Sequence, residues 1–166
     1  MRARFPELPA AQGPDVPLIA PHAPVTELFT CSGTGIDGGE PAIPGAAGCT
    51  LENRSSAAPD PTSSRAELTL RGISPQLPYA QAEFPRAERI PYPLLPDAAH
   101  RHAAVLRLPA LRGAGRLRHK RLMLVVDAER TVRYVLFPVD DIPYAVAEAR
   151  RPAAPPGPGP SRRDSP

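Results

Sequence analysis

Cys31 and Cys49 are the residues of this 166-residue chain best suited to carry chemistry. A thiolate is a nucleophile and a soft metal ligand, but a free cysteine with a pKa of about 8.5 is mostly protonated at neutral pH. Its surroundings must favour the anion. Gly48-Cys49-Thr50-Leu51-Glu52 reads as a loop running into a helix, with Thr50 and Glu52 in the first turn. A helix N-terminus favours negative charge, and so does a nearby guanidinium. Arg121 stands at the start of an apolar run, so its side chain can reach one end of the sheet that such a run implies. The residues alone leave alternatives open: Cys49 is reactive, ligating or incidental, and Arg121 reads equally as a surface arginine at a strand end. Dithiol–disulfide exchange between the two cysteines lacks the C-x-x-C spacing. His100 and His102 lie two apart on a short helix and point to different faces, which makes them solvent-facing rather than a metal-binding pair.

The elements that must position these groups centre on residues 120–139. Residues 122–126 are uninterrupted apolar and fit a strand buried on both faces. Residues 131–139 are rich in Val, Tyr, Leu and Phe, which suit a pleated surface, and the polar link 127–130 is of hairpin length. Residues 25–30 form a short strand, polar for a core element. Gly33, Gly35 and Gly38 spell G-x-G-x-x-G, but Pro41 and Pro44 follow where a dinucleotide site needs a helix, so the stretch reads as a glycine-rich loop. A helix starting near Cys49 is cut short by Pro59 and Pro61, since a proline in a helix interior costs about 3 kcal/mol or more. Residues 65–71 are expected to make about two helical turns closed by Gly72. A second helix is expected over 80–89, a third over 98–106 with Asp97 as N-cap, and a last one from Pro143 to about residue 150. Asn53-Arg54-Ser55 is a glycosylation sequon by spelling only.

Proline supplies 25 residues, about three times the ordinary usage of about 5%, concentrated at the two ends. Residues 1–24 and 151–166 are therefore expected to be disordered, leaving one domain over 25–150. The net charge is +3, almost all of the positive charge is arginine, and Lys120 is the only lysine. These arginines are scattered among acids. With no Trp and eight Phe and Tyr in all, the basic patch with stacking aromatics that nucleic-acid binding needs is missing. No run reaches the 18 apolar residues of a membrane span. Pro6, Pro9 and Pro14 interrupt any signal-peptide core, so the expected location is the cytoplasm, where thiols stay reduced.

Taken together, the landmarks resemble the peroxiredoxins, closest to the Q-type, or bacterioferritin-comigratory, group. The matching stretches are Gly33-Thr34-Gly35, IPGAAGCTLENR at 43–54, SPQLPYAQ at 74–81, RIPYPLLPD at 89–97, LRLP at 106–109 and KRLMLVVD…VRYVLFPV at 120–139. They follow the family's order over about 110 residues. The resemblance implies an α/β, thioredoxin-like fold and the reduction of hydroperoxides by a cysteine, with no cofactor or metal. Cys49 matches the family's peroxidatic cysteine, Thr34 its active-site threonine and Arg121 its active-site arginine. The product would be a sulfenic acid at Cys49, restored by a thiol.

Three departures stand out. Where relatives place a resolving cysteine five residues after the first, this chain has Arg54. The expected scheme is therefore one-cysteine, with thioredoxin or a small thiol as reductant, and Cys31 is only the remaining internal candidate for a resolving role. Ser32 replaces the proline of the family's YPRTG-like loop. Finally, the family runs a strand between its first helix and the SPQ-like segment. Here Gly72-Ile73-Ser74 joins the two directly, so the expected fold is incomplete, with one central strand missing. That gap and the helix broken by Pro59 and Pro61 support a rival reading: a non-catalytic, degenerate thioredoxin-fold protein acting through a partner.

Overall fold

The computed structural model describes residues 5, 16–21, 23–33, 49–58, 68–113 and 115–151. Thr34, the remainder of the glycine loop, the Pro59 and Pro61 segment and the tail 152–166 lie outside the described residues. In chain order the elements are β1 (Val25–Thr30), α1 (Cys49–Ala57), β2 (Leu68–Ser74), α2 (Pro78–Ala87), β3 (Leu94–Pro96), α3 (Arg101–Leu106), β4 (Ala110–Gly113), β5 (Arg116–His119), β6 (Leu122–Asp127), β7 (Val132–Leu136) and α4 (Ile142–Ala149).

Five strands form one sheet in the order β3-β2-β1-β6-β7, and β4 and β5 pair as a separate hairpin. The pairs β1–β2 and β2–β3 are parallel, while β1–β6 and β6–β7 are antiparallel. Parallel neighbours need a crossover, and helices supply one on each side of β2. Side chains alternate across a strand, so adjacent residues feed two different cores. Phe29, Leu94, Met123 and Val125 pack with Phe84 of α2 and Ile142, Ala145, Val146 and Ala149 of α4. Leu28, Ile73, Leu95, Leu122, Leu124 and Val126 pack on the other face with Phe5, Leu18 and Ile19. The packed unit therefore draws on residues ahead of Val25.

Several expectations hold. Every residue of β6 is buried, as an apolar run between two sheet layers requires. α1 ends at Ala57, just before the proline segment. α4 starts with Pro143 in its first turn, and Asp141 caps it by accepting a hydrogen bond from the Tyr144 N–H at 3.0 Å.

Two expectations are corrected. The stretch expected as a helix closed by Gly72 is strand β2, so the central strand expected to be missing is present. Ala66, Glu67 and Leu68 favour a helix locally, but strand 68–74 has parallel partners on both sides, β1 along its length and β3 at its end. Tertiary pairing overrides the propensity. Likewise β1, read as polar for a core element, is the middle strand of the sheet. Its two threonines are hydrogen-bonded: Thr26 Oγ1 accepts from the Ala20 N–H at 3.2 Å, and Thr30 Oγ1 donates to Lys120 O at 2.8 Å. Glu27 Oε2 lies 3.9 Å from Arg150 Nε.

Gly72 is no helix cap. A Cβ there would lie 2.6 Å from Leu94 Cδ2 and 2.8 Å from Phe29 Cζ. Both neighbours are core side chains with nowhere to move. Gly72→Ala should therefore cost about 1–3 kcal/mol through overpacking. Urea unfolding should show a lower midpoint with an unchanged slope; an unchanged midpoint would contradict this packing.

Candidate active site

Helix α1 buries Cys49, Glu52, Asn53 and Ser56. These are positions i, i+3, i+4 and i+7, one helical face, and the face is polar apart from Cys49. Buried polar groups are the informative exception in a protein interior. Asn53 ties this face directly to Cys49. Asn53 Nδ2 donates to Cys49 O at 2.8 Å, and the Tyr92 hydroxyl donates to Asn53 O at 2.8 Å. Burial holds the Tyr92 phenol far above its ordinary pKa, so it stays protonated as that donor. Arg150 bonds the carbonyls of Ser56 and Ala58 at the other end of the helix.

Residues 31–33 extend from the C-terminal end of β1 and wrap the sulfur of Cys49. Ser32 Oγ donates to His119 O at 2.8 Å, Arg118 donates to Ser32 O at 3.4 Å, and the Cys31 N–H bonds Ile73 O at 3.0 Å. Held in this way, the stretch turns three donors on the Cys49 sulfur: the Cys31 thiol and the backbone N–H groups of Gly33 and Ser32. The Cys49 thiol is brought down to about 6, first by the hydrogen bond from Cys31. Burial opposes the shift, and Gly33, the Arg121 charge and Ser32 add to it. Cys31 moves the other way: as donor to a buried anion, itself buried, it stays a thiol.

Arg121 enters from the start of β6. Its Nε donates to Glu52 Oε2 at 3.2 Å, with the Arg121 side chain 10% exposed and Glu52 fully buried. Burial pushes Glu52 well above the usual carboxylate range; Arg121 opposes this, and the Cys49 charge adds to it. The upward shift of Glu52 favours its neutral form, which accepts from Arg121 without cancelling the guanidinium charge. Arg121 also lines an open cavity of about 340 Å³, together with Leu111, Lys120, Phe137, Pro138, Val139 and Asp140.

The structure thus brings together Cys49, Arg121 and Cys31. Thr34 lies outside the described residues. Sequence reasoning missed Glu52, Asn53 and Tyr92 as supports; the signal available was the C-x-x-E-N-x-x-S spacing, polar residues on one helical face. The histidine reading is corrected. His102 is fully buried rather than solvent-facing, because the start of α3 lies beneath the Phe5 ring, whose centroid is 6.2 Å away. Among the described residues, no group of His, Cys, Asp and Glu has the geometry of a metal site.

No protein-family model and no curated protein matches the sequence. Solved structures do match. Peroxidoxin BcpB from Mycobacterium tuberculosis aligns with a TM-score of 0.74 at 23% identity, over 90% of this chain and 91% of that one. The bacterioferritin comigratory protein of Xanthomonas campestris aligns at 0.67 and 15% identity, over 89% and 95%. Peroxiredoxin 5 from Alvinella pompejana aligns at 0.64 and 16%, over 92% and 99%. The fold is thioredoxin-like, of the Q-type peroxiredoxin kind. No helix among the described residues is long and apolar enough to cross a membrane.

Proposed function

We propose that this chain is a thiol peroxidase whose nucleophile is Cys49. The observation that carries the reading is the setting of one sulfur: the first residue of a helix, ringed by hydrogen-bond donors, with a guanidinium beside it and a pKa near 6. At neutral pH the sulfur is mostly thiolate. The thiolate attacks the terminal oxygen of a hydroperoxide, the O–O bond breaks, and the leaving oxygen takes a proton to depart as alcohol or water. Cys49 is left as a sulfenic acid. Arg121 supports the developing negative charge on the oxygens, and Thr34 is proposed to orient the peroxide by hydrogen bonding.

A thiol must then restore Cys49. Thioredoxin or a small thiol is the source, and a reducing compartment such as the cytoplasm would supply it and keep both cysteines reduced. The rival reading, a non-catalytic remnant acting through a partner, drew its support from the missing strand and from the helix cut short after Cys49. With β2 in place the first of these is gone, and the short α1 still carries Cys49 on its first turn.

The test is direct. Purified protein with excess thiol should consume hydrogen peroxide or an organic hydroperoxide catalytically. One equivalent of peroxide should oxidise Cys49, to a sulfenic acid or to the disulfide that follows from it, located by peptide mass spectrometry. Failure to consume peroxide, together with no oxidation at Cys49, would refute the reading.

A further inference from the structure

Resting on the peroxidase reading, we propose that Cys31 is the resolving thiol, condensing with the Cys49 sulfenic acid into an intramolecular disulfide. Four observations carry it. The thiol of Cys31 already donates a hydrogen bond to the Cys49 sulfur, so the two reacting atoms begin in contact. Both residues are buried, 2% exposed at Cys31 and 4% at Cys49. A protein reductant therefore cannot reach the Cys49 sulfur without local opening, whereas Cys31 is in place. Arg54, which stands where relatives carry a resolving cysteine, is engaged elsewhere, its Nε 2.6 Å from Glu88 Oε2 on the exposed face of α1. The chain has no third cysteine.

The chemistry balances with no reactant beyond those of the peroxidase cycle. The Cys31 sulfur attacks the Cys49 sulfur, the S–O bond breaks, and the hydroxyl leaves as water with the Cys31 proton. Once local opening exposes the disulfide, an external dithiol reduces it by exchange, returning two thiols and leaving with its own disulfide. The electrostatics set the order of events. While Cys49 is a thiolate, its charge and its demand for a hydrogen bond keep Cys31 protonated. Oxidation to the neutral sulfenic acid removes both restraints, so Cys31 becomes the better nucleophile only once there is something to resolve.

The experiment treats the full chain with one equivalent of hydrogen peroxide, without reductant, and follows free thiols, intact mass and dimedone labelling. Wild type should lose both thiols, lose two hydrogens in mass, gain no lasting dimedone label and yield a Cys31–Cys49 peptide while staying monomeric on a non-reducing gel. Cys31→Ser should lose one thiol, gain one oxygen and take the label at Cys49. A wild type that keeps the Cys31 thiol and carries a stable, labelled sulfenic acid would overturn the inference while leaving the peroxidase reading standing, and so would a disulfide formed only between chains. Absence of oxidation at Cys49 in both proteins would overturn the peroxidase reading and this inference with it.

Discussion

Replacing Arg121 with methionine will slow the reaction of Cys49 with hydroperoxide by about two to three orders of magnitude, the range seen when one donor to a developing oxyanion is removed. Two losses combine. The guanidinium charge helps hold the Cys49 thiol down near 6, so without it the thiolate fraction at neutral pH falls. In the proposed mechanism the same charge would stabilise the leaving oxygen as the O–O bond breaks. The substitution also leaves Glu52 buried beside a thiolate with no donor on Oε2, so the acid keeps its proton at higher pH. Methionine keeps the length and unbranched stem of the side chain, which limits the packing cost. Two measurements separate the effects. Stopped-flow oxidation gives the rate constant, and its pH profile should rise through about pH 6 in wild type and through a higher pH in Arg121→Met. Cys49→Ser sets the floor. Arg121→Lys should fall between, because it keeps the charge but loses the planar fork that bonds Glu52 and an oxygen together. A wild-type rate in Arg121→Met would remove Arg121 from the mechanism.

What could be read in the sequence was what local pattern dictates. An unbroken apolar run of five fits a strand buried on both faces, and β6 is one. A proline after the hairpin can open a helix, and α4 opens there. A glycine before a cysteine pointed to a loop entering a helix, and Cys49 is the first residue of α1. The parts that escaped depend on distant partners. The stretch 65–71 carries the helix-favouring Ala66, Glu67 and Leu68, yet residues 68–71 lie in a strand because β1 flanks them and β3 pairs with the end of the same strand. Gly72 looked like a stop signal because glycine's two uses, leaving a helix and admitting a close neighbour, are spelled alike; only Phe29 and Leu94 reveal which applies. The contact between Cys31 and Cys49 is of the same kind. Nothing local predicts it, since it follows from β1 ending beside the start of α1. The polar face of α1 was legible in spacing but not in meaning, because its partners Arg121, Tyr92 and Arg150 arrive from three other parts of the chain.

His102→Phe should reveal a buried acid sensitivity on the face of the sheet away from α1. His102 and His119 are fully buried, and Asp97 lies between them: its carboxylate accepts from the N–H groups of His102 at 3.2 Å and Ala103 at 3.1 Å. His119 Nε2 stands 3.5 Å from Asp97 Oδ2, and the His100 ring is 5.4 Å from that of His119. Burial brings both His102 and His119 down to about 4; Asp97 opposes the shift and the neighbouring histidine adds to it. Both are therefore neutral at pH 7, and the His119–Asp97 contact is no ion pair there. An unfolded histidine titrates near 6.5. Between about pH 6.5 and about pH 4 the unfolded chain binds the proton and the folded one does not, so this stability is present above about 6.5 and lost as pH falls toward 4. For His102 the loss between about pH 7 and about pH 4.5 is roughly 2 kcal/mol. Buried Glu27 acts in the opposite sense: burial raises it to about 7, so its contribution is present at low pH and lost as pH rises through that value. Because of this opposition, the overall profile of wild type mixes the two signs, and the difference between variant and wild type is the clean readout. Phenylalanine suits the apolar side of the site, where the Phe5 ring stacks, and it keeps the backbone N–H that bonds Asp97. Urea unfolding of both proteins at several pH values should show the stability gap moving in the variant's favour by roughly 2 kcal/mol on acidification. A gap that does not move with pH would mean that His102 keeps its ordinary titration in the folded protein, and that the neutral imidazole is not what holds this face together.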